Sequence, residues 1–414
     1  MRQGAVSPAG LGGCIWHAVT GLVLIYAVTL LIAALFSEHS RRTLLSSAVL
    51  FLAAGFAVGP VGLDLIHADP SQQLVVTVTD LALASILFAD GLELGWRELR
   101  GDWRLPARAL SLAMPLTAVV VTAVGYVLLN IDGVEALLLG AMLAPTDPVF
   151  AAAIVGREEI PGRVRRLLNV ESGLNDGLAL PFVLGLTALA SGRELHTAWL
   201  LLEPIGGLLF GVGVALAAGL LRRMRVFSVS RSHEPLLPLS VGLIVLSGAQ
   251  TLHVNEYLAA FGAGVTLAWV SERSRQEFHD IGQRISELLK LAAVLIIAVT
   301  SDILQVSSWR VLLFAVLVLA VARTGPILLV LAGTPLTRDE RLVTAWFGPK
   351  GFASLIYALI VLRSSVPNRH ILFHAATLTV LMSIVLHSST DVPVARRFGD
   401  QGDQGDQDTG ARQD

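Results

Sequence analysis

The chain has 414 residues, of which 54% are hydrophobic and only 15% charged, and its mean hydropathy is +0.69. A water-facing surface of this size needs more charge, so the composition excludes a soluble globular protein and makes lipid the expected solvent. The net charge of −2 comes with basic residues scattered over short loops, which excludes a nucleic-acid patch, and the single Cys14 excludes a disulfide framework or a Cys-rich metal site.

A helix that crosses a bilayer takes roughly 20 mostly apolar residues. The sequence predicts thirteen such spans, at about 16–36, 44–66, 74–93, 108–130, 134–155, 166–190, 198–221, 235–253, 255–270, 285–304, 308–333, 340–362 and 370–388. They fill residues 1–390, leaving no room for a large soluble domain. The first span follows Arg2 without a small-residue cleavage site, so a retained helix is expected rather than a signal peptide. The second and ninth contain several glycines, and the ninth is short; both are expected to be thin or interrupted. Residues 391–414, ending in Gly-Asp-Gln repeats, are expected to form a disordered cytoplasmic tail with no function of their own.

Loop charge gives an orientation. Odd-numbered connections carry the arginines, among them Arg41, Arg42, Arg97, Arg100, Arg104, Arg163, Arg165, Arg222, Arg223, Arg284, Arg338 and Arg341, and Arg396 and Arg397 follow the last span. Even-numbered connections hold only Arg193, Arg310, Arg363 and Arg369, and one is acidic at Asp132 and Glu135. The positive-inside rule then puts the odd loops and the C-terminus in the cytoplasm and the N-terminus outside. The alternation runs unbroken, which supports the span count.

An ionisable residue at mid-span costs about 2.5–3.5 kcal/mol on insertion scales, so each one needs a reason. Span 3 carries Asp80, Asp90 and Glu93; span 5 carries Pro145-Thr146-Asp147-Pro148; span 6 carries Glu171-Ser172-Gly173-Leu174-Asn175-Asp176; span 11 carries Arg323; span 12 carries Gly348-Pro349-Lys350-Gly351. Residues four apart share a helix face, so Ser172 and Asp176 stack on one side of span 6 while Glu171 and Asn175 stack about 100° away. The first face suits a dehydrated alkali cation or a proton. The second can engage a buried cation such as Arg323, and for Glu171 plain neutralisation of Arg323 is the preferred reading. Helix-to-helix adhesion is the weaker alternative for Asp176.

Pro145 and Pro148 should break span 5 near mid-membrane, freeing carbonyls beside Thr146 and Asp147. Span 12 repeats the device, with Lys350 placed to neutralise the dipole end of a half-helix. Simple kinks are the alternative, but the adjacent charge in each favours function. Spans 5 and 12 lie seven apart and enter the membrane from opposite sides, which points to inverted repeats at about 16–190 and 235–388 around a midplane site. The Gly-Pro-Lys-Gly string lacks P-loop spacing, the histidines lack metal-ligand spacing, and no cofactor is called for.

Thr146-Asp147-Pro148, the Glu171-to-Asp176 string, and a mid-span Arg323 followed by Pro326 resemble the monovalent cation:proton antiporter-1 family, the NhaP-like sodium/proton antiporters, over about residues 16–390. The resemblance implies an all-α polytopic membrane fold of about thirteen helices with broken, crossing helices 5 and 12. It also implies a homodimer in the cell membrane whose core bundle moves against a dimerisation domain. Asp176 is then the carboxylate that trades a monovalent cation for H⁺, with Ser172 and Thr146 near the ion and Asp147 a further acid at the crossing. Glu171 and Asn175 become partners of Arg323. Asp90 stands where a longer glutamate is expected, and Lys350 where an arginine is common. Asn175-Asp176 in place of two aspartates implies electroneutral exchange. The rival readings are a cation channel, an intramembrane hydrolase, and a cation or pH sensor; the opposed broken helices favour alternating access.

Overall fold

A computed structural model of the chain describes residues 8–36, 47–66, 69–93, 103–147, 160–192, 197–224, 230, 233–301, 308–387 and 390. The expected tail at 391–414 and the second proline of span 5, Pro148, lie outside the described residues. The elements are α1 (Pro8–Leu35), α2 (Ser47–Val58), α3 (Gln73–Glu93), α4 (Arg104–Leu129), α5 (Gly133–Leu143), α6 (Gly162–Ala190), α7 (Thr197–Arg223), α8 (Leu236–Leu252), α9 (Glu256–Val270), α10 (Glu272–Thr300), α11 (Trp309–Val330), α12a (Arg338–Trp346), α12b (Phe352–Arg363) and α13 (Arg369–His387). Among the described residues there is no strand. Among the described residues six helices are long and apolar enough to cross a bilayer, namely α3, α4, α6, α11, α13 and Leu202–Arg223 of α7, and shorter apolar helices fill in between. The chain is an all-α polytopic membrane protein.

Lipid gives no hydrophobic force between helices, so small residues that let backbones approach do much of the packing. α3 lies between α9 and α10; α1 and α2 continue beyond α10, and α7 and α8 beyond α9. At the α3–α9 contact a Cβ on Gly91 would strike the Phe261 carbonyl, and one on Gly264 would strike the Phe88 carbonyl. A second group, α4, α5, α6, α11 and α12a, meets the first where α6 and α12b touch α3. Large apolar side chains on the outer faces, such as Leu24, Val127, Leu209 and Ile244, are exposed, as a lipid-facing surface requires.

Among the described residues two helices contain a π-turn. In α4 it spans Ala109–Ala113 and in α11 Val318–Ala322. Pro115 and Pro326 explain both. A proline ring displaces the carbonyl four residues back, here that of Ser111 and of Ala322, and the helix widens to make room. In α11 the widened turn ends at Arg323.

α5 ends, and span 12 is interrupted, at the proline-bearing segments. α5 begins at a capping box of Asp132 and Glu135 and stops at Leu143, and residues 144–147 run on without helix. α12a stops at Trp346, residues 347–351 are non-helical, and α12b restarts at Phe352. α2 is shorter than its span because residues 59–66 fold back on its end, with Leu63 N donating to Ala57 O at 2.8 Å and Leu65 N to Val58 O at 2.9 Å. α9 is short but unbroken. α10 starts at Glu272, well before its expected span, because an amphipathic stretch without proline extends it.

Candidate functional site

The polar faces of α6 and the two non-helical segments come together. Glu171, Ser172, Asn175 and Asp176 are all buried on α6, and Thr146 and Asp147 are buried in the segment after α5. Thr146 Oγ1 and Ser172 Oγ lie 3.3 Å apart, and Asn175 Nδ2 donates to Thr146 Oγ1 at 2.8 Å and to Thr146 O at 3.1 Å. Ser172 and Asn175 therefore clamp the unwound backbone at Thr146. Asn175 was expected beside Arg323; it turns to Thr146 instead, because the non-helical segment runs within reach of both polar faces of α6. Arg323 keeps Glu171, through a fork of 2.7 and 3.1 Å, and adds the Thr344 carbonyl at 3.5 Å.

The two non-helical segments hold each other reciprocally. Asp147 N donates to Pro349 O at 2.9 Å, and Asp147 Oδ2 accepts from Phe352 N at 2.9 Å. That amide is the first of α12b, so Asp147 puts a carboxylate on the positive end of a half-helix. Lys350 answers at the negative end of α5, where its Nζ donates to Ala144 O at 3.2 Å and Pro145 O at 3.4 Å. Ser354 Oγ takes the Met142 carbonyl at 2.7 Å, and Ser383 Oγ receives Lys350 N at 2.8 Å. A helix end stranded in lipid needs such partners, and here side chains supply them.

Two glycines make the approach possible. A Cβ on Gly351 would fall on the Asp147 side chain, and one on Gly348 on the Arg323 guanidinium. The spacing of the Gly-Pro-Lys-Gly string thus serves contact on both sides of Lys350.

Asp176 is 3% exposed and, among the described residues, forms no ion pair. Its backbone carbonyl accepts from Tyr357 Oη at 2.9 Å, which ties α6 to α12b. Asp90 on α3 and Asp147 act on it as like charges. Beside these groups, the buried oxygens Asp90 Oδ2 and Asn175 Oδ1 are among those with no hydrogen-bond partner. Buried acceptors left unmet are rare and point to a bound species. Hydroxyls, an amide oxygen, a freed carbonyl and carboxylates are the ligand set of a small hard cation. Among the described residues no group of three or more His, Cys, Asp or Glu side chains could hold a metal ion.

The acids of α3 separate. Asp80 belongs elsewhere: it accepts from Tyr257 Oη at 2.9 Å and lies 3.5 Å from Arg363, beside a cavity of about 370 Å³ also lined by Glu203 and Asn255. Glu93 accepts from Gln283 at 2.7 Å. Sequence reasoning passed over Tyr357, Ser354 and Ser383, which become legible only through their contacts, and Lys290, a buried lysine inside span 10 that the rule on intramembrane charge would have found.

The fold and this site define a polytopic membrane protein built around unwound helix segments of the kind secondary transporters use. The sequence model of the family described as "Sodium/hydrogen exchanger, transmembrane" matches residues 27–397, and the chain belongs to that family, the monovalent cation:proton antiporters. The chain is 26% identical over 400 residues to a probable Na(+)/H(+) antiporter of Schizosaccharomyces pombe, with 84% of this chain and 52% of that protein covered. It is 24% identical over 392 residues to the K(+)/H(+) antiporter NhaP2 of Shewanella sp. (strain ANA-3), covering 92% and 67%. It thus spans about half the length of the first of these relatives. Among solved structures it is similar to the sodium proton antiporter MjNhaP1 from Methanocaldococcus jannaschii at pH 8, with a TM-score of 0.78, 18% identity, and 91% and 99% of the two chains covered.

Proposed function

We propose that this chain exchanges a monovalent cation for H⁺ across the cell membrane by alternating access. The observation that carries this is the clamp of Thr146 against Ser172 and Asn175 beside a buried Asp176, with two unmet oxygens at hand. Asp176 is the carboxylate that takes the cation or the proton in turn. Ser172, Thr146 and the free oxygen of Asn175 complete the cation's shell, and Asp90 approaches from α3. Asp147 and Lys350 hold the crossing together, and Glu171 with Arg323 fixes the α6–α11 contact. Na⁺ is the first cation to test, with K⁺ and Li⁺ next, since the curated relatives are named for both Na⁺ and K⁺.

The exchange is electroneutral in this reading, because Asn175 stands where a second acid would add a charge. Inverted repeats at about 16–190 and 235–388 supply the two faces of the cycle, and the matched π-turn and proline in α4 and α11, seven spans apart, support that division. The N-terminus lies outside, the C-terminus in the cytoplasm, and the working unit is a homodimer.

The test uses proteoliposomes with an acidic lumen and a pH-sensitive dye, to which Na⁺, K⁺, Li⁺ or choline is added. Dye recovery with an alkali cation, absent in Asp176→Asn, is the expected result. No recovery with any cation from verified folded protein overturns the proposal.

A further inference from the structure

Arg363 is one of four arginines on the even-numbered connections, where the charge rule disfavours them, so its place calls for a cause. Capping does not supply it: the carbonyl that follows α12b, that of Ser364, already accepts from Arg369 Nη1 at 2.6 Å. The Arg363 guanidinium instead reaches α3 and the turn before it. Its Nε donates to Pro70 O at 3.0 Å, its Nη2 to Thr79 Oγ1 at 2.6 Å, and its Nη1 lies 3.5 Å from Asp80 Oδ1. Tyr257 Oη on α9 donates to the same Asp80 oxygen at 2.9 Å.

The pair is built unlike Arg323–Glu171. That one is a fork whose side chains are 7% and 3% exposed, whereas Arg363 and Asp80 meet in one approach of 3.5 Å and are 16% and 17% exposed. A fully buried pair is costly to part, and a partly exposed one is not. Beside it opens the cavity of about 370 Å³, lined by Asp80, Glu203, Tyr257 and Arg363 and, on α6, by Leu184 and Ala188. Residues four apart share a helix face, so Asp176, Leu180, Leu184 and Ala188 form one row along α6. Leu184 and Ala188 line the cavity, whereas Leu180 is fully buried and stands in the row between them and Asp176. α12b covers the same interval: Tyr357 holds the Asp176 carbonyl, and Arg363, six residues on, holds α3.

Building on the antiport reading, we propose that Arg363 is a latch on the passage from this cavity to Asp176. Docked on Asp80, Thr79 and Pro70 O, it holds α12b against α3 and keeps Leu180 packed as a plug. Undocked, it lets α12b and α6 draw away from α3, and the cavity opens onto Asp176. The cavity lies at the even-loop end, which the proposed orientation puts outside, so the latch governs outward opening. Arg363 does not touch the cargo; it is a positioning residue whose release selects one face of the cycle.

The test applies a membrane-impermeant cationic thiol reagent to right-side-out vesicles carrying Leu180→Cys or Gly185→Cys, each with Cys14→Ser. Gly185 lines the cavity and has open space where a Cβ would go, so Gly185→Cys is expected to label in every background; no labelling there overturns the inference. Leu180→Cys is expected to label slowly with Arg363 in place and roughly tenfold faster with Arg363→Gln. The gain should be smaller with Asp80→Ala, which leaves Thr79 and Pro70 O to hold the guanidinium. In Arg363→Gln without added cysteine, half-saturating Na⁺ should fall at the outer face and rise at the inner face, measured in right-side-out and inverted vesicles. A damaged fold does not move the two faces in opposite directions. Unchanged labelling of Leu180→Cys in both variants, beside an active wild type, overturns this inference alone. Faster labelling beside a wild type that exchanges no cation overturns the antiport reading and supports the latch. If neither Arg363→Gln nor Asp80→Ala folds, the contact belongs to the fold and the inference is overturned.

Discussion

At the scale of single residues, the site is governed by what cannot be enlarged and what cannot be left alone. Gly351 has the Asp147 side chain where a Cβ would go. Gly351→Ala is therefore expected to push the carboxylate off the Phe352 amide and to cost about 1–3 kcal/mol, read as a lower melting temperature of the detergent-solubilised protein. Gly325→Ala, which meets nothing within 4 Å and lies inside a helix, is the control and should melt no lower than wild type. Glu171 and Arg323 pose the opposite problem. Removing either partner leaves a buried charge unmatched, so Glu171→Gln or Arg323→Gln alone should destabilise by about 3–5 kcal/mol. The double substitution should cost less than the sum, which a double-mutant cycle by thermal melting measures. The helical-face argument from sequence found the Glu171–Arg323 pair and put Ser172 with Asp176. It misread Asn175, because spacing along one helix says nothing of a second backbone laid across it.

At the scale of elements, the end of α5 and the interrupted span 12 behave as one piece. Asp147 serves the start of α12b and Lys350 the end of α5, so each half-helix is completed by the other's break. Asp147→Ala should lose a helix cap worth about 1–2 kcal/mol, whereas Asp147→Asn, still an acceptor, should lose less; melting curves of the two variants rank them. The breaks were legible because proline and glycine act locally on the backbone. The π-turns were not read from the sequence, although Pro115 and Pro326 announce them, since a proline inside an apolar run can kink, break or widen a helix and only the packing decides. The early start of α10 was hidden for a related reason: arginines that mark a loop by the charge rule also sit comfortably on the polar face of a helix.

At the scale of the whole molecule, the alternation of arginine along the loops and the recurrence of apolar runs made the all-α polytopic fold readable in outline, because lipid leaves so few backbone solutions. What could not be read was which helices meet. Asp80, Asp90 and Glu93 share one helix but end in three environments, and only tertiary packing separates them. One prediction belongs to the molecule entire: with equal charge moving each way, the initial rate of Na⁺-driven dye recovery at a fixed pH gradient should not change when a K⁺–valinomycin clamp sets the potential. A rate that follows the clamp would refute electroneutral exchange.

The unmet oxygens of Asp90 and Asn175 also bear on efficiency. Under the antiport proposal, a carrier that returned without cargo would have to carry bare buried acceptors through a medium of low dielectric, whereas the loaded carrier has them met. On that reading the empty return is the slow branch of the cycle. Slippage, in which one gradient drains without filling the other, would then be held down by the incompleteness of the site itself, and the two fluxes would stay locked because neither vacant face of the carrier could cheaply become the other.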